Sequence, residues 1–127
     1  MAVNRAQIVE RNVASFLEAW DGRSDRDGDP DAPVWPGCRL TGRGLLELVE
    51  SQFTSRRLDF EARVLKARNA GFHTIGSTGH EGTAAVAAAT RPDDPAFLHY
   101  RDAAFFCRRA AQVPGSTPIF DTILGMV

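Results

Sequence analysis

The side chains best suited to chemistry in this sequence are a tyrosine and an arginine that stand next to each other, Tyr100 and Arg101. A guanidinium donates several hydrogen bonds in a fixed fork that matches phosphate oxygens, and the phenol beside it adds a donor with little conformational freedom. The pair is therefore suited to binding an anion. From the residue types alone, a salt bridge from Arg101 to Asp94 or Asp102, with Tyr100 in the core, is the simpler interpretation.

The segment before this pair predicts the elements that position it. Residues 78–81 have the S/T-x-x-E form of a capping box, in which a hydroxyl and a carboxylate satisfy free N–H groups at a helix start. The alanine-rich run 84–89 predicts the helix itself, and Arg91-Pro92 predicts its end. Residues 96–100 are short, apolar and aromatic, which predicts a buried strand with the pair at its C-terminal end.

Taken in order, these features resemble a known family. The pattern S-x-G-H-E-(G/A), an alanine-rich helix, R-P-x-D and Y-R-D is similar to the N-terminal part of the thiamine-diphosphate-dependent decarboxylating component of 2-oxoacid dehydrogenase complexes. The likeness is to the alpha subunit of the branched-chain (branched-chain alpha-keto acid) type or to single-chain alpha–beta fusions. It runs from about Leu45 to the end of the chain.

The resemblance implies roles for particular residues. Tyr100 and Arg101 would contact the diphosphate of thiamine diphosphate, and His99 would lie near the same cofactor, where the family often has a polar side chain. Phe72 matches an aromatic position that lines the substrate pocket. His73 departs from the tyrosine usual at the next position, and is either a hydrogen-bond donor to a keto-acid carboxylate or an ordinary polar loop residue. No catalytic residue is assigned to this chain.

Two neighbouring residues, His80 and Glu81, invite an acid–base interpretation. In the family that the chain resembles, the glutamate that activates the cofactor comes from the beta subunit, so Glu81 is better interpreted as the capping-box residue and His80 as structural. A small hydrolase built on these two residues is disfavoured because no nucleophile or metal-ligand set accompanies them.

The function implied by the resemblance is decarboxylation of a 2-oxo acid and reductive acylation of a lipoyl group, chemistry that the cofactor carries. The family's magnesium site uses a G-D-G motif followed by an asparagine, and this sequence has no G-D-G motif. We therefore expect no metal ligands in this chain, one wall of the diphosphate site, and no activity from the chain alone. The expected partners are a beta subunit or the C-terminal half of a fusion, and a lipoyl-bearing acyltransferase, in an oligomer.

The alternative is a stand-alone helical interaction module, a remnant that binds a full-length subunit through its apolar helices. Which 2-oxo acid would be used does not follow from the sequence, because the resemblance places most of the pocket elsewhere. The strongly apolar pattern that ends at Val127 leads us to expect that the sequence is cut short.

The hydrophobic pattern predicts a mostly α chain with one or two short strands, which the resemblance makes the N-terminal fragment of an α/β thiamine-diphosphate-binding fold. Residues 1–20 are predicted to form an N-terminal helix, 21–40 a flexible linker rich in aspartate, glycine and proline, and 41–127 the truncated N-terminal portion of a dehydrogenase domain.

Within the third region, helices are predicted over 41–68 and 102–111 and from Thr117-Pro118 onward. Gly71 is expected to take the left-handed position that ends the first of them. The face expected to be apolar on this long helix is formed by Leu45, Val49, Phe53, Phe60 and Val64, with a second row through Leu46 and Leu58.

Composition excludes several classes of function. The 127 residues form one domain at most, and a net charge of −1 gives no electrostatic case for nucleic acid or a membrane surface. No signal-peptide pattern or membrane-spanning apolar run is present, so a cytoplasmic protein is expected. Cys38 and Cys107 lack metal-ligand spacing and are expected to be free thiols. The alternating aspartates of 25–31 lack the glycine and closing glutamate of a calcium loop.

Overall fold

Helices account for the regular structure of this protein. The computed structural model describes residues 5–22, 28–72 and 76–127, and its only β feature in those ranges is an isolated antiparallel bridge between Pro33 and Thr41. The prediction of a mostly α chain is therefore confirmed. In the same ranges, no helix combines the length and apolar character needed to cross a membrane. The helices are α1 (Arg5–Ala19), α2 (Gly42–Ala67), α3 (Thr83–Ala89), α4 (Ala103–Ala110) and α5 (Pro118–Leu124).

The long helix α2 is delimited by local signals at both ends. Thr41 caps its N-terminus, where the threonine Oγ1 accepts a hydrogen bond from Gly44 N at 3.2 Å. At the other end Asn69 takes the left-handed conformation, with φ of 53°. The prediction that Gly71 would do so is wrong, because asparagine tolerates that conformation and comes first in the chain.

Gly71 instead allows the chain terminus to approach α2. A Cβ added there would lie 3.0 Å from the carbonyl oxygen of Met126 and 3.1 Å from Cβ of Leu65. The neighbouring Phe72 N donates to the same Met126 oxygen at 3.3 Å. The segment after α5 is thus tied to the end of α2.

The buried face of α2 is opposite to the one that the hydrophobic pattern predicts. Leu45, Val49 and Phe53 are exposed, so the expected apolar face is not the core face. Of the predicted second row, Leu58 is buried and Leu46 is exposed. The interior instead receives small and polar side chains, because α3 and α4 pack against that side of α2. The buried residues of α2 are Ser51, Ser55, Leu58, Asp59 and Ala62.

Alanines form the centre of the fold. Ala84 and Ala87 of α3 and Ala104 of α4 are completely buried where these two helices pack on each other and on α2. Because an alanine side chain is a single methyl group, the helix backbones can approach closely, and shape complementarity must be high for such a core to be filled. Phe105 and Cys107 add the bulk on α4.

Helix α1 lies apart from this core. Within the described residues it packs against no other helix, and an ion pair from Glu10 Oε1 to Arg63 Nη1 at 3.1 Å links it to α2. Residues 23–27 of the predicted linker lie outside the described ranges. Its later part is folded back on α2 by Asp31, which accepts from Arg43 Nε at 2.7 Å. The hydrogen bond from Arg43 lowers the pKa of Asp31 below its usual range.

The segment before Tyr100 is not a strand. Residues 96–100 form an extended loop in which Phe97 is fully exposed and Leu98 is also exposed. The prediction of a buried strand is wrong because the described structure offers no neighbouring strand to pair with, while α3 and α4 fill the interior with alanines.

Candidate functional site

A buried carboxylate holds the loop before α3 onto α2. Asp59 accepts hydrogen bonds from Ser77 N through both carboxylate oxygens, each at 2.9 Å, from Ser77 Oγ at 3.0 Å and from Arg56 Nη1 at 2.7 Å. Ser55 Oγ donates to Ser77 Oγ at 2.7 Å, and both serines are fully buried. A buried network in which each of these groups is paired fixes the position of the loop.

Gly76 connects this network to Arg101. A Cβ added at Gly76 would lie 3.0 Å from Asp59 Oδ2, so a larger residue would push against the buried carboxylate. Its carbonyl oxygen accepts a hydrogen bond from Arg101 Nη1 at 3.0 Å. The guanidinium is therefore positioned by the backbone of a loop that Asp59 anchors.

The predicted capping box does not form. Helix α3 begins at Thr83, with Gly82 in the cap position, so residues 78–81 precede the helix by a turn. Thr78 Oγ1 accepts from the guanidinium of Arg56, and Glu81 Oε2 accepts from Gly79 N at 2.8 Å. Glu81 Oε1 also lies 3.5 Å from Arg56 Nε. The prediction is wrong because a charged group from α2 competes for both side chains.

Tyr100 and Arg101 are accessible and are not paired with acids. Tyr100 is 57% exposed, and the guanidinium carbon of Arg101 lies 5.5 Å from its ring centroid. Asp94 is bound instead by Arg91, whose hydrogen bonds lower the pKa of that carboxyl. Among the described residues Arg101 has no ion pair, so the interpretation with a salt bridge to Asp94 or Asp102 and a core tyrosine is wrong.

Two histidines adjoin the pair. Asp102 Oδ1 lies 3.3 Å from Nδ1 of His80, and Asp102 Oδ2 accepts from His99 N at 2.9 Å. The ring of His99 stacks on His80 with centroids 5.8 Å apart and meets the ring of Tyr100 at 3.8 Å. The structure thus places His99, Tyr100 and Arg101 next to one another, and it adds His80. Nothing in the sequence links His80 to Asp102, which is 22 residues away.

The structure does not test the two residues that are predicted to line a substrate pocket. Phe72 is 90% exposed, and His73 lies outside the described residues. The assignment of both to a pocket stays a prediction.

Two grooves lie along α2, away from this loop cluster. One, of about 300 Å³, is formed by α2 and α5, with Phe53, Leu58, Ile119 and Ile123 in its lining. The other, of about 320 Å³, also involves α4. Neither is lined by Tyr100 or Arg101. In the described ranges, no three histidine, cysteine or acidic side chains are grouped so as to hold a metal ion.

The chain was also compared with known proteins. No protein-family model, curated protein or solved structure matches it. The family resemblance of the sequence therefore stays a prediction, and the site is characterised by its own geometry.

Proposed function

We propose that this chain is part of the decarboxylating component of a 2-oxoacid dehydrogenase, in which it supplies one wall of the diphosphate site of thiamine diphosphate. The observation that carries the proposal is the accessible Tyr100–Arg101 pair, in which the described structure gives Arg101 no carboxylate partner. A guanidinium that is not neutralised by an acid keeps its charge for an anionic ligand. The motifs around the pair support thiamine diphosphate as that ligand.

The donor set fits a diphosphate. Of the guanidinium nitrogens of Arg101, only Nη1 donates a hydrogen bond within the described structure, and its acceptor is the carbonyl of Gly76. The remaining guanidinium donors and the exposed phenol of Tyr100 can therefore meet phosphate oxygens. When bound, the cofactor supplies the decarboxylation chemistry. The role of this chain is to bind and orient its charged end.

Magnesium ligands are assigned to another part of the proposed assembly. The sequence has no G-D-G motif, and the described residues offer no metal-ligand cluster. A beta subunit, or the C-terminal half of a fusion, would complete the site, and a lipoyl-bearing acyltransferase would take up the acyl group. We place this oligomeric enzyme in the cytoplasm, in line with the free thiols of Cys38 and Cys107.

A second candidate function is a helical interaction module that binds a full-length subunit. The observation that favours it is the uncovered apolar surface of α1, which packs on no other helix of the described chain. Exposed apolar side chains grouped on one element are typical of interaction sites. The exposed side chains of α1 that form it, with the tryptophan that follows, are Ile8, Val9, Val13, Phe16, Leu17 and Trp20.

The diphosphate site is tested by the binding of inorganic pyrophosphate to the full chain, measured by calorimetry. Changing Tyr100→Phe together with Arg101→Ala should weaken binding about tenfold or more, since hydrogen bonds to charged groups contribute about 1.5–3 kcal/mol. Arg57→Ala, which removes an exposed cation of α2, is the matched control and should leave the affinity unchanged. Equal affinity in the double variant and the control would show that the pair is not the site.

The two candidate functions are separated by the nucleotide sequence that follows codon 127. A continuation that encodes a G-D-G motif and a later asparagine, in frame or after a frameshift, favours the dehydrogenase component. Its absence favours the interaction module.

A further inference from the structure

His80 has the geometry of an oriented acid–base group. Its Nδ1 lies 3.3 Å from Asp102 Oδ1, and the Asp102 side chain is largely buried whereas that of His80 is 41% exposed. Because an ionised carboxylate can only accept, the proton of the neutral ring lies on Nδ1. The other ring nitrogen, Nε2, has no hydrogen-bond partner among the described residues. In the neutral ring Nε2 accepts a proton, and in the protonated ring it donates to an anion.

Asp102 contacts both histidines of the site, His80 through its ring and His99 through its backbone. One carboxylate oxygen faces His80, and the other accepts from the backbone N–H of His99. The two rings are nearly parallel, with an interplanar angle of 20°. Since His99 also contacts the ring of Tyr100, the three rings form a row that ends beside Arg101.

The charges around His80 are mixed in sign. Asp102 contacts its ring, and the guanidinium of Arg56 reaches the same loop from α2 through Thr78. Glu81, the next residue, faces Arg56, and its charge is therefore largely compensated. A bound anion could meet Nε2, which has no hydrogen-bond partner among the described residues.

We infer that His80, oriented by Asp102, is a further ligand-binding residue of the Tyr100–Arg101 site and makes anion binding there depend on pH. This inference rests on the proposed function in taking the pair as the place where a diphosphate binds. At low pH the imidazolium donates from Nε2 to a phosphate oxygen, and at high pH that donor is lost. Histidine is the side chain whose charge ordinarily changes in the physiological range.

The test compares pyrophosphate binding by the full chain and by His80→Gln at about pH 5.5 and pH 8, the range in which histidine ordinarily titrates. Pyrophosphate itself changes protonation between these pH values, but it does so equally in both experiments. A difference between the pH profiles of the two proteins is therefore due to His80. We expect the affinity of the unsubstituted chain to exceed that of the variant about tenfold at the lower pH and to match it at the higher.

A second measurement needs no substitution at the histidine. Pyrophosphate should move the NMR titration midpoint of the His80 ring to higher pH, because binding and protonation are reciprocally linked. Asp102→Asn weakens the contact that orients the His80 ring, so the pH dependence of binding should weaken. A purely structural role for Asp102 would change stability without changing that pH dependence.

The combined results show whether the inference about His80 or the proposed diphosphate site is wrong. If the profiles of His80→Gln and the unsubstituted chain superimpose while Arg101→Ala still weakens binding, the inference is overturned and the proposed diphosphate site stands. If Arg101→Ala has no effect but His80→Gln does, His80 is supported as an anion ligand and the proposed function loses its site. If pyrophosphate binds neither protein, both are overturned.

Discussion

The bundle of α2, α3 and α4 buries small side chains at its centre, whereas the separate helix α1 leaves large apolar side chains exposed. In the bundle, alanines such as Ala84 and Ala104 are completely buried. In α1, large apolar side chains face outward, and Phe16 is 67% exposed. Burial of apolar area is the usual source of stability, so α1 gains little from its own hydrophobic residues in this structure.

The bundle, and not α1, holds the site in place. The bundle is stabilised by close helix packing and by the buried hydrogen bonds of Asp59, and the loop that carries Gly76 is attached to it. Helix α1 is attached by the Glu10–Arg63 pair, both of whose side chains are 40% exposed. An exposed ion pair of this kind contributes about 0–1 kcal/mol. Changes in the bundle should therefore reach the site, and changes in α1 should not.

The largest expected effect is that of Asp59→Ala. This change leaves the buried Ser77 N–H and the guanidinium of Arg56 without their acceptor, and breaking a buried charged pair costs about 3–5 kcal/mol. Urea unfolding monitored by circular dichroism measures the free energy of unfolding. Glu61→Ala, at an exposed position of the same helix, is the control and should stay within about 0.5 kcal/mol of the original. Equal losses in the two variants would mean that Asp59 is not the anchor.

A somewhat smaller difference is expected between two phenylalanines. Phe105→Ala removes a buried ring of α4 that also contacts the guanidinium of Arg109, with Cζ 4.6 Å from the ring centroid, and should cost about 3 kcal/mol. Phe16→Ala removes an exposed ring of α1 and should change the free energy of unfolding by about 0.5 kcal/mol or less. The same unfolding measurement applies. A large loss with Phe16→Ala would show that α1 is packed in solution.

The smallest effect concerns the two thiols. Burial raises the pKa of the Cys107 thiol from 9.0 to about 11. Cys38, in the chain segment that connects α1 to α2, is partly exposed. Because the thiolate is the reactive form, iodoacetamide at about pH 8 should label Cys38 first and Cys107 only after unfolding. Mass spectrometry of the digested chain would show the order. Equally fast labelling of both would place Cys107 outside the core.

The same thiol gives a pH dependence with a definite sign. A folded pKa above the unfolded value means that folding favours the protonated thiol, so this contribution is complete below about pH 9. Between about pH 9 and pH 11 stability should fall by up to about 1.4 kcal/mol per pH unit. The part due to this thiol should be missing from the same pH profile of Cys107→Ala.

The sequence predicts the helices of this fold well because their signals are local. The threonine cap at Thr41, the proline start at Pro118 and the end of α3 before Arg91-Pro92 all lie within a turn of the observed boundaries. The buried face of α2 could not be predicted in this way. It is decided by what packs on it, and against the alanines of α3 and α4 this face presents two serines, an aspartate and an alanine beside a single leucine.

The site was predictable only in part for the same reason. Tyr100, Arg101 and His99 are adjacent in sequence, so their proximity follows from the chain itself. The partners that position them come from far away: Gly76 lies 25 residues before Arg101, and His80 lies 22 residues before Asp102. Such pairings depend on the tertiary fold, and residue spacing carries no signal for them.

The contact between Arg101 and the carbonyl of Gly76 has a consequence for the conditions under which the site works. A carbonyl oxygen carries no formal charge and has no proton to lose or gain near neutrality, so neither dissolved salt nor moderate acidity removes the acceptor. The arginine should keep its orientation in concentrated buffers that dissolve surface ion pairs. Ionic strength would then weaken only the attraction of an incoming anion, while the receiving geometry persists.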